Sequence, residues 1–385
     1  MAVTVQRFQT VGPVEQDDEG ENENLHPNEI DVDTLYPRSG HRVVVDDSNM
    51  YVLGGYNPRF RDIENSTDTY YPLFKELWKF NFATHNWTCL ITDGSMPTEL
   101  ASHAAVRCGR NLLYFGGTGV PFGHSSSNDF YTCNLETLKW RYVKCQGDVP
   151  QKKYGHAMFS TGRYVYVCGG TTGFVYNMDL HRLDIHSGVW KHLPIHSKYT
   201  PDSRYRHEMV SDGYKLYIFG GGTAHIAFPL DKVPSYDINA GVWQEVQTKP
   251  DKKHGFPRTR KCHSCSLFRN EAYICGGIDG IEIMDDIWKF DLETYEWTKL
   301  PTTLQLPVYF HSADITPNGC MYVFGGVTKV DDIRTNCVQR IWLTLPSLQE
   351  VCWENMCFTL DMNKLKKHRN ELFEIGVPMH YIERL

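Results

Sequence analysis

Six histidines, His41, His103, His156, His207, His263 and His311, recur at near-even spacing along the 385 residues and invite a metal-binding reading. One histidine per repeat, at one position of each repeat, argues instead for six separate hydrogen-bonding roles, because a shared site needs ligands that converge on one ion. Twelve cysteines include a single C-x-x-C, Cys262 and Cys265, without the second ligand pair that zinc requires, so no metal or other cofactor is expected. Neither a G-x-S-x-G nucleophile motif nor a phosphate-cradling G-x-x-x-x-G-K-[ST] accompanies these residues, and no catalytic residue is assigned.

The cations suggest recognition chemistry. Three positions before the six histidines stand Arg38, Leu100, Lys153, Arg204, Arg260 and Val308. Equivalent positions of successive repeats share one rim, so Lys153, Arg204 and Arg260, enlarged by Arg206 and Arg258, are expected to form a cationic arc. Arginine grips both oxygens of a carboxylate through paired hydrogen bonds, which suits a peptide C-terminus. Tyr154, Tyr205, Tyr309 and Tyr56 would add flat walls and hydroxyl donors. The competing reading is that the arginines bridge neighbouring repeats.

The elements that must position these residues follow from a second periodicity. A double glycine ends an apolar run at Gly54-Gly55, Gly116-Gly117, Gly169-Gly170, Gly220-Gly221, Gly276-Gly277 and Gly325-Gly326, with intervals of 62, 53, 51, 56 and 49 between first glycines. Each histidine precedes its double glycine by 13 residues, or 14 in the last repeat. The intervening segments, such as Leu112-Leu113-Tyr114-Phe115, read as inner strands, and Trp87, Trp140, Trp190, Trp243 and Trp297 follow on later ones. Four strands per unit result. Sheets apolar on both faces must pack against neighbours, so the fold class is all-β, a six-bladed propeller over 35–346 with tryptophans between blades. The sixth unit lacks a strand. Phe8-Gln9-Thr10-Val11 resembles Trp243-Gln244-Glu245-Val246, so within 1–34 the segment at about 5–12 is expected to close the ring, followed by a flexible acidic insert at Glu15 to Glu23. The histidine-to-diglycine phase closely resembles the kelch-repeat family.

Beyond the ring, 347–385 switches to helical spacing. Ser347 and Glu350 form an S-x-x-E capping box, and Leu348, Cys352 and Met356 line one helix face. From spacing alone such a stripe packs on the propeller. Asp361 is expected to cap an intervening helix carrying Leu365, Leu372 and Phe373. The pattern S-L-x-x-x-C-x-x-x-Φ resembles the elongin-binding box of cullin-RING ligase receptors. Val377, Pro378, Tyr381 and Leu385 fit the cullin 2 box pattern Φ-P-x-x-Φ-x-x-x-Φ, while the L-P-Φ-P of the cullin 5 type is absent. A kelch propeller followed by these boxes resembles the kelch-repeat substrate receptors of cullin 2 ubiquitin ligases. That likeness implies elongin B/C, cullin 2 and its RING subunit as partners, and substrate C-terminal peptides ending in glycine or another small residue as ligands. The alternatives are a scaffold or inhibitor of a signalling enzyme such as a phosphatase, and a copper oxidase using tyrosine and histidine ligands.

A net charge of −7 without a long cationic run argues against nucleic acid, and no apolar stretch approaches the roughly 18 residues of a membrane span. The first thirty residues lack the pattern of a secretory signal, which places the chain in the cytoplasm or nucleus with reduced cysteines.

Overall fold

The computed structural model describes residues 35–59, 72–193, 198–330 and 333–385. Antiparallel sheets form the six blades of a β-propeller. In the first blade Arg42–Val45, Asn49–Leu53, Leu77–Asn81 and Trp87–Cys89 pair in chain order, and the second, fourth and fifth repeat that order. The third adds a short parallel strand, Gln146–Gly147, against Val189–His192. The sixth has three described strands, Ser312–Ile315, Cys320–Phe324 and Val338–Trp342. The closing strand expected at about 5–12 and the acidic insert lie outside the described residues.

The double glycine is a contact between blades as well as a bend. Every first glycine has φ between 54° and 70°, a region that side chains rarely adopt. A Cβ there would strike the imidazole of the following blade, with Gly116 meeting His156 Cε1 and Gly169 meeting His207 Cε1 at 2.6 Å. Gly325 meets His41 Cε1 at 2.7 Å, carrying the rule across the closure from the last blade to the first. The second glycine abuts the histidine of its own blade, where a Cβ on Gly221 would lie 2.6 Å from His207 Cβ. One imidazole therefore fits between two consecutive blades, which is why histidine and glycines keep their phase. Burial keeps these rings neutral, holding His103, His207 and His311 at about 3.

The tryptophans fill the spaces expected of them. Trp190 lies 5.2 Å from Phe115 of the preceding blade, and Trp87 lies 5.1 Å from Phe324, so the first blade packs on the sixth as the others pack on their neighbours. A further device is written only in the main chain. The six residues that directly precede the histidines, Gly40, Ser102, Gly155, Arg206, Cys262 and Phe310, all have φ between 55° and 67°. Each donates its N–H to the carbonyl of the previous one, at 2.7 to 3.1 Å, and Gly40 donates to Phe310. A closed ring of six hydrogen bonds thus collars the axis.

The C-terminal module comprises α1 (Leu348–Thr359), α2 (Met362–Leu365), the 3-10 turn Lys366–His368, α3 (Arg369–Glu374) and α4 (Met379–Ile382). Ser347 accepts from Glu350 N at 3.2 Å, but the Glu350 carboxylate turns to Arg384 (2.7 Å) and Tyr381 (3.4 Å), so only half of the expected capping box forms. Asp361 caps α2 as expected, accepting from Lys364 N at 3.1 Å. Trp353, Met362, Leu372, Val377, Tyr381, Ile382 and Leu385 pack together against Ala83 of the first blade. Arg340 of the sixth blade pairs with Glu354 at 2.8 Å, and Asn81 of the first donates to the Arg384 carbonyl at 2.8 Å. The module is therefore fastened to both blades of the closure. Among the described residues no helix is long and apolar enough to cross a membrane.

Candidate functional site

The cations three positions before the histidines do not form the rim arc expected of them. Arg38, Lys153 and Arg260 are fully buried and Arg204 nearly so. Arg38, Arg204 and Arg260 each donate Nη1 to the carbonyl of the first glycine of their own blade, Gly54, Gly220 and Gly276, at 3.0, 3.1 and 3.1 Å. Arg38 also pairs with Glu76 at 2.6 Å and Arg260 with Asp286 at 2.7 Å, Arg204 donates Nε to the Asp202 carbonyl at 2.9 Å, and Lys153 reaches Asp179 at 2.6 Å. A left-handed glycine turns its carbonyl away from the sheet ladder, and a cation on the adjacent strand satisfies it. The inter-blade bridging considered from the sequence is corrected in the same way: these ties are made within a blade. Arg258 is exposed and paired with Asp279 and Glu282. Tyr309 is buried with Cys262, Ile278 and Val327.

Four of the expected residues do converge. Tyr56, Tyr154, Tyr205 and Arg206 line a mouth of about 220 Å³ together with Phe122, Phe310, Arg334, Ser39 and Ser102. The hydrogen-bonded collar underlies it, since Gly40, Ser102, Arg206 and Phe310 belong to both. Arg206 lies with Cζ 4.4 Å from the Phe310 ring centroid and donates Nη2 to Ser102 Oγ. Its Nε has no hydrogen-bond partner, and no carboxylate pairs with its guanidinium among the described residues. Glu208, two residues on, is engaged with Arg42 at 2.8 Å. Burial accordingly holds the Arg206 guanidinium below its usual range, and burial pushes the Tyr154 and Tyr205 hydroxyls up. Arg206 is half-buried and unpaired by any carboxylate among the described residues, so an anion entering the mouth meets an uncompensated cation in partly desolvated surroundings. Sequence phase pointed to the wrong neighbour: the position directly before the histidine, not the one three before it, faces the axis. Ser102 and Phe310 were missed for the same reason, and Phe122 because it reaches the mouth from the loop after the second double glycine.

The two C-terminal boxes also divide. Leu348 is 78% exposed and Cys352 is exposed one turn later, while Met356 leans partly on the module core. Of the second box only Pro378 faces solvent. Val377, Tyr381 and Leu385 are buried inside the module, with Tyr381 5.2 Å from Trp353, so the expectation that they present a docking face is corrected. Four-residue spacing reports a common face without telling whether that face turns inward. The apolar groups left outside near them are Phe373, Ile375 and Met379.

The KLHDC2/KLHL20/DRC7 Kelch-repeats domain matches this chain over residues 20–221 and 196–361. Kelch domain-containing protein 10 of Xenopus laevis is 46% identical over 352 residues, spanning 90% of this chain and 85% of the relative. The Homo sapiens protein of the same name is 46% identical over 351 residues, spanning 90% of this chain and 79% of its own. Kelch domain-containing protein 2 of Bos taurus is 27% identical over 321 residues, 75% of each chain.

Proposed function

The chain belongs to the kelch-repeat propeller family, and from that premise we propose that it is the non-catalytic substrate-recognition subunit of a cullin 2-RING ubiquitin ligase. The mouth takes the C-terminal peptide of a substrate, and the helical module takes elongin B/C and cullin 2 with its RING subunit. The observation that carries this reading is Arg206, a half-buried guanidinium with no carboxylate partner among the described residues, set among tyrosines at the mouth. A peptide carboxylate supplies the missing charge. The mouth of about 220 Å³, walled by Tyr154, Tyr205 and Phe310, has room for the end of an extended peptide, and glycine or another small residue there is what the resemblance to kelch-repeat receptors implies. On the other side, the solvent-facing Leu348 and Cys352 match the leucine and cysteine of the elongin-binding box.

Two measurements test the reading. Peptides ending in glycine should bind the full chain at least tenfold more tightly with a free carboxylate than with an amide, and equal affinities would dispose of the mouth assignment. Wild-type chain should recover elongin B/C and cullin 2 from cells, and Leu348→Asp should not. A second reading, a scaffold whose helices serve only to hold the closure, draws support from the burial of Val377, Tyr381 and Leu385. Failure of the wild type to recover elongins would favour it.

A further inference from the structure

The loops that follow the double glycines carry apolar side chains at their tips, and those of three successive blades join the mouth. The second blade exposes Phe122, the third Phe174 and Val175, and the fourth Ile226, with Phe174 81% accessible. These tips are held in place. In the second, Thr118 Oγ1 accepts from Gly123 N at 3.0 Å, and in the third, Thr171 Oγ1 donates to the Val175 carbonyl at 2.9 Å. The fourth is tied from the neighbouring blade by Lys261, whose Nζ donates to the Thr223 and Ala224 carbonyls at 2.7 and 3.0 Å.

The tips also run continuously from the mouth. Phe122 meets Tyr56 edge-on at 4.8 Å. The second and third loops touch backbone to backbone, a Cβ on Gly123 meeting Gly173 Cα at 2.9 Å, and His124 lies 6.3 Å from Phe174. The fourth loop donates Ala224 N to Tyr176 Oη at 3.0 Å, and Tyr176 lies 5.2 Å from Tyr205 of the mouth. The fifth blade differs in kind. Ile281 is equally bare, but Asp279 and Glu282 flank it and pair with Arg258, so that tip is charged.

We propose that the loop tips of the second, third and fourth blades form a binding arc for the part of a substrate peptide just upstream of its terminal carboxylate, selecting extended segments with aliphatic or aromatic side chains there. The proposal rests on the Arg206 reading and adds a direction and a side-chain class to it. Arg206 fixes where the negative end sits, and an extended chain advances about 3.3 Å per residue, so positions a few residues upstream pass over the rim. Large apolar side chains on tethered tips, contiguous with a mouth, are the preorganised kind of surface that rewards an apolar partner without an ordering cost.

Two ten-residue peptides with free carboxylates and glycine at the end, one with leucine and phenylalanine at the third to sixth positions from the end and one with serine there, test this by fluorescence anisotropy on the full chain. The apolar peptide should bind about tenfold more tightly. Phe174→Ser with Ile226→Ser should remove most of that difference and leave the serine peptide unchanged, while Ile281→Ser should change neither. Equal binding of the two peptides to wild type, or an Ile281→Ser loss as large as that of the pair, overturns the arc. Amidated and free apolar peptides binding alike would instead overturn the Arg206 reading and the arc with it. Thermal melting checks that the variants fold, and if the pair melts early, Phe174→Ser alone carries the same comparison.

Discussion

Arg204 and Arg206 stand two residues apart in one blade and belong to different layers. Below the rim, Arg204 is nearly inaccessible, donates to Gly220 O and lies with Cζ 4.2 Å from the Phe228 ring centroid. At the mouth, Arg206 occupies a left-handed backbone position in the collar and keeps a donor idle. Both guanidiniums are held low by burial. The difference lies in where their donors go: Arg204 spends Nε and Nη1 on the Asp202 and Gly220 carbonyls of its own blade, whereas Arg206 lines the mouth with no carboxylate partner among the described residues. Stability should therefore reside in one layer and recognition in the other.

The widest test of that division is acid. The six buried imidazoles are neutral in the folded protein, with His103, His207 and His311 at about 3, whereas in the unfolded chain they titrate near 6.5. Between those values the unfolded chain binds more protons, so stability is full above pH 6.5 and falls as pH drops toward 3. Each ring contributes about 1.4 kcal/mol per pH unit below 6.5, which sums to several kcal/mol by pH 5.5. Urea unfolding midpoints should decline steeply from pH 7 to pH 5, and a flat profile would mean that the histidine layer is not what closes the blades.

Next in size is Arg260→Met. It strands the nearly buried Asp286, which the Arg260 guanidinium and the Trp288 indole hold below the usual carboxylate range. Leaving one partner of a buried pair alone costs about 3–5 kcal/mol. Chemical denaturation should show that loss, while peptide affinity per folded molecule stays at the wild-type value. Arg206→Met should do the reverse. Losing a hydrogen bond to a charged group removes about 1.5–3 kcal/mol of binding, or tenfold to more than a hundredfold in Kd, with little change in melting. Equivalent behaviour of the two variants would erase the distinction between layers.

How much of this was legible in the sequence follows the same line. The propeller was readable because its constraints are periodic: a glycine that must be left-handed, an imidazole that fills its missing side chain and a tryptophan that reaches the previous blade recur in one phase. That phase marked Arg38, Lys153, Arg204 and Arg260 as equivalent, and they are, but equivalence does not reveal which way a side chain points. Arg206 could have been separated from them by the residues that share its place, Gly40, Ser102, Gly155, Cys262 and Phe310, a set rich in small groups as a collar around an axis requires. The loop tips escaped notice because each is a single exposed side chain, and only the tertiary fold sets three of them side by side.

The C-terminal module restates the contrast between inward and outward in one short segment, and supplies the smallest effect. Leu348 rests on no core, so Leu348→Ala should leave the melting temperature unchanged and weaken elongin binding about tenfold, the loss of one buried apolar side chain at an interface. Val377 sits within the Trp353 and Tyr381 cluster, so Val377→Ala should loosen the module by about 1–2 kcal/mol, and any effect on cullin 2 should scale with that loosening. Hydrogen exchange across α1 and α4, measured beside elongin affinity for both variants, separates the two. If Val377→Ala abolished cullin 2 recovery while exchange stayed unchanged, its side chain would have to leave the core to reach the partner, and the fastened arrangement of the helices on the closure would be only one of two conformations.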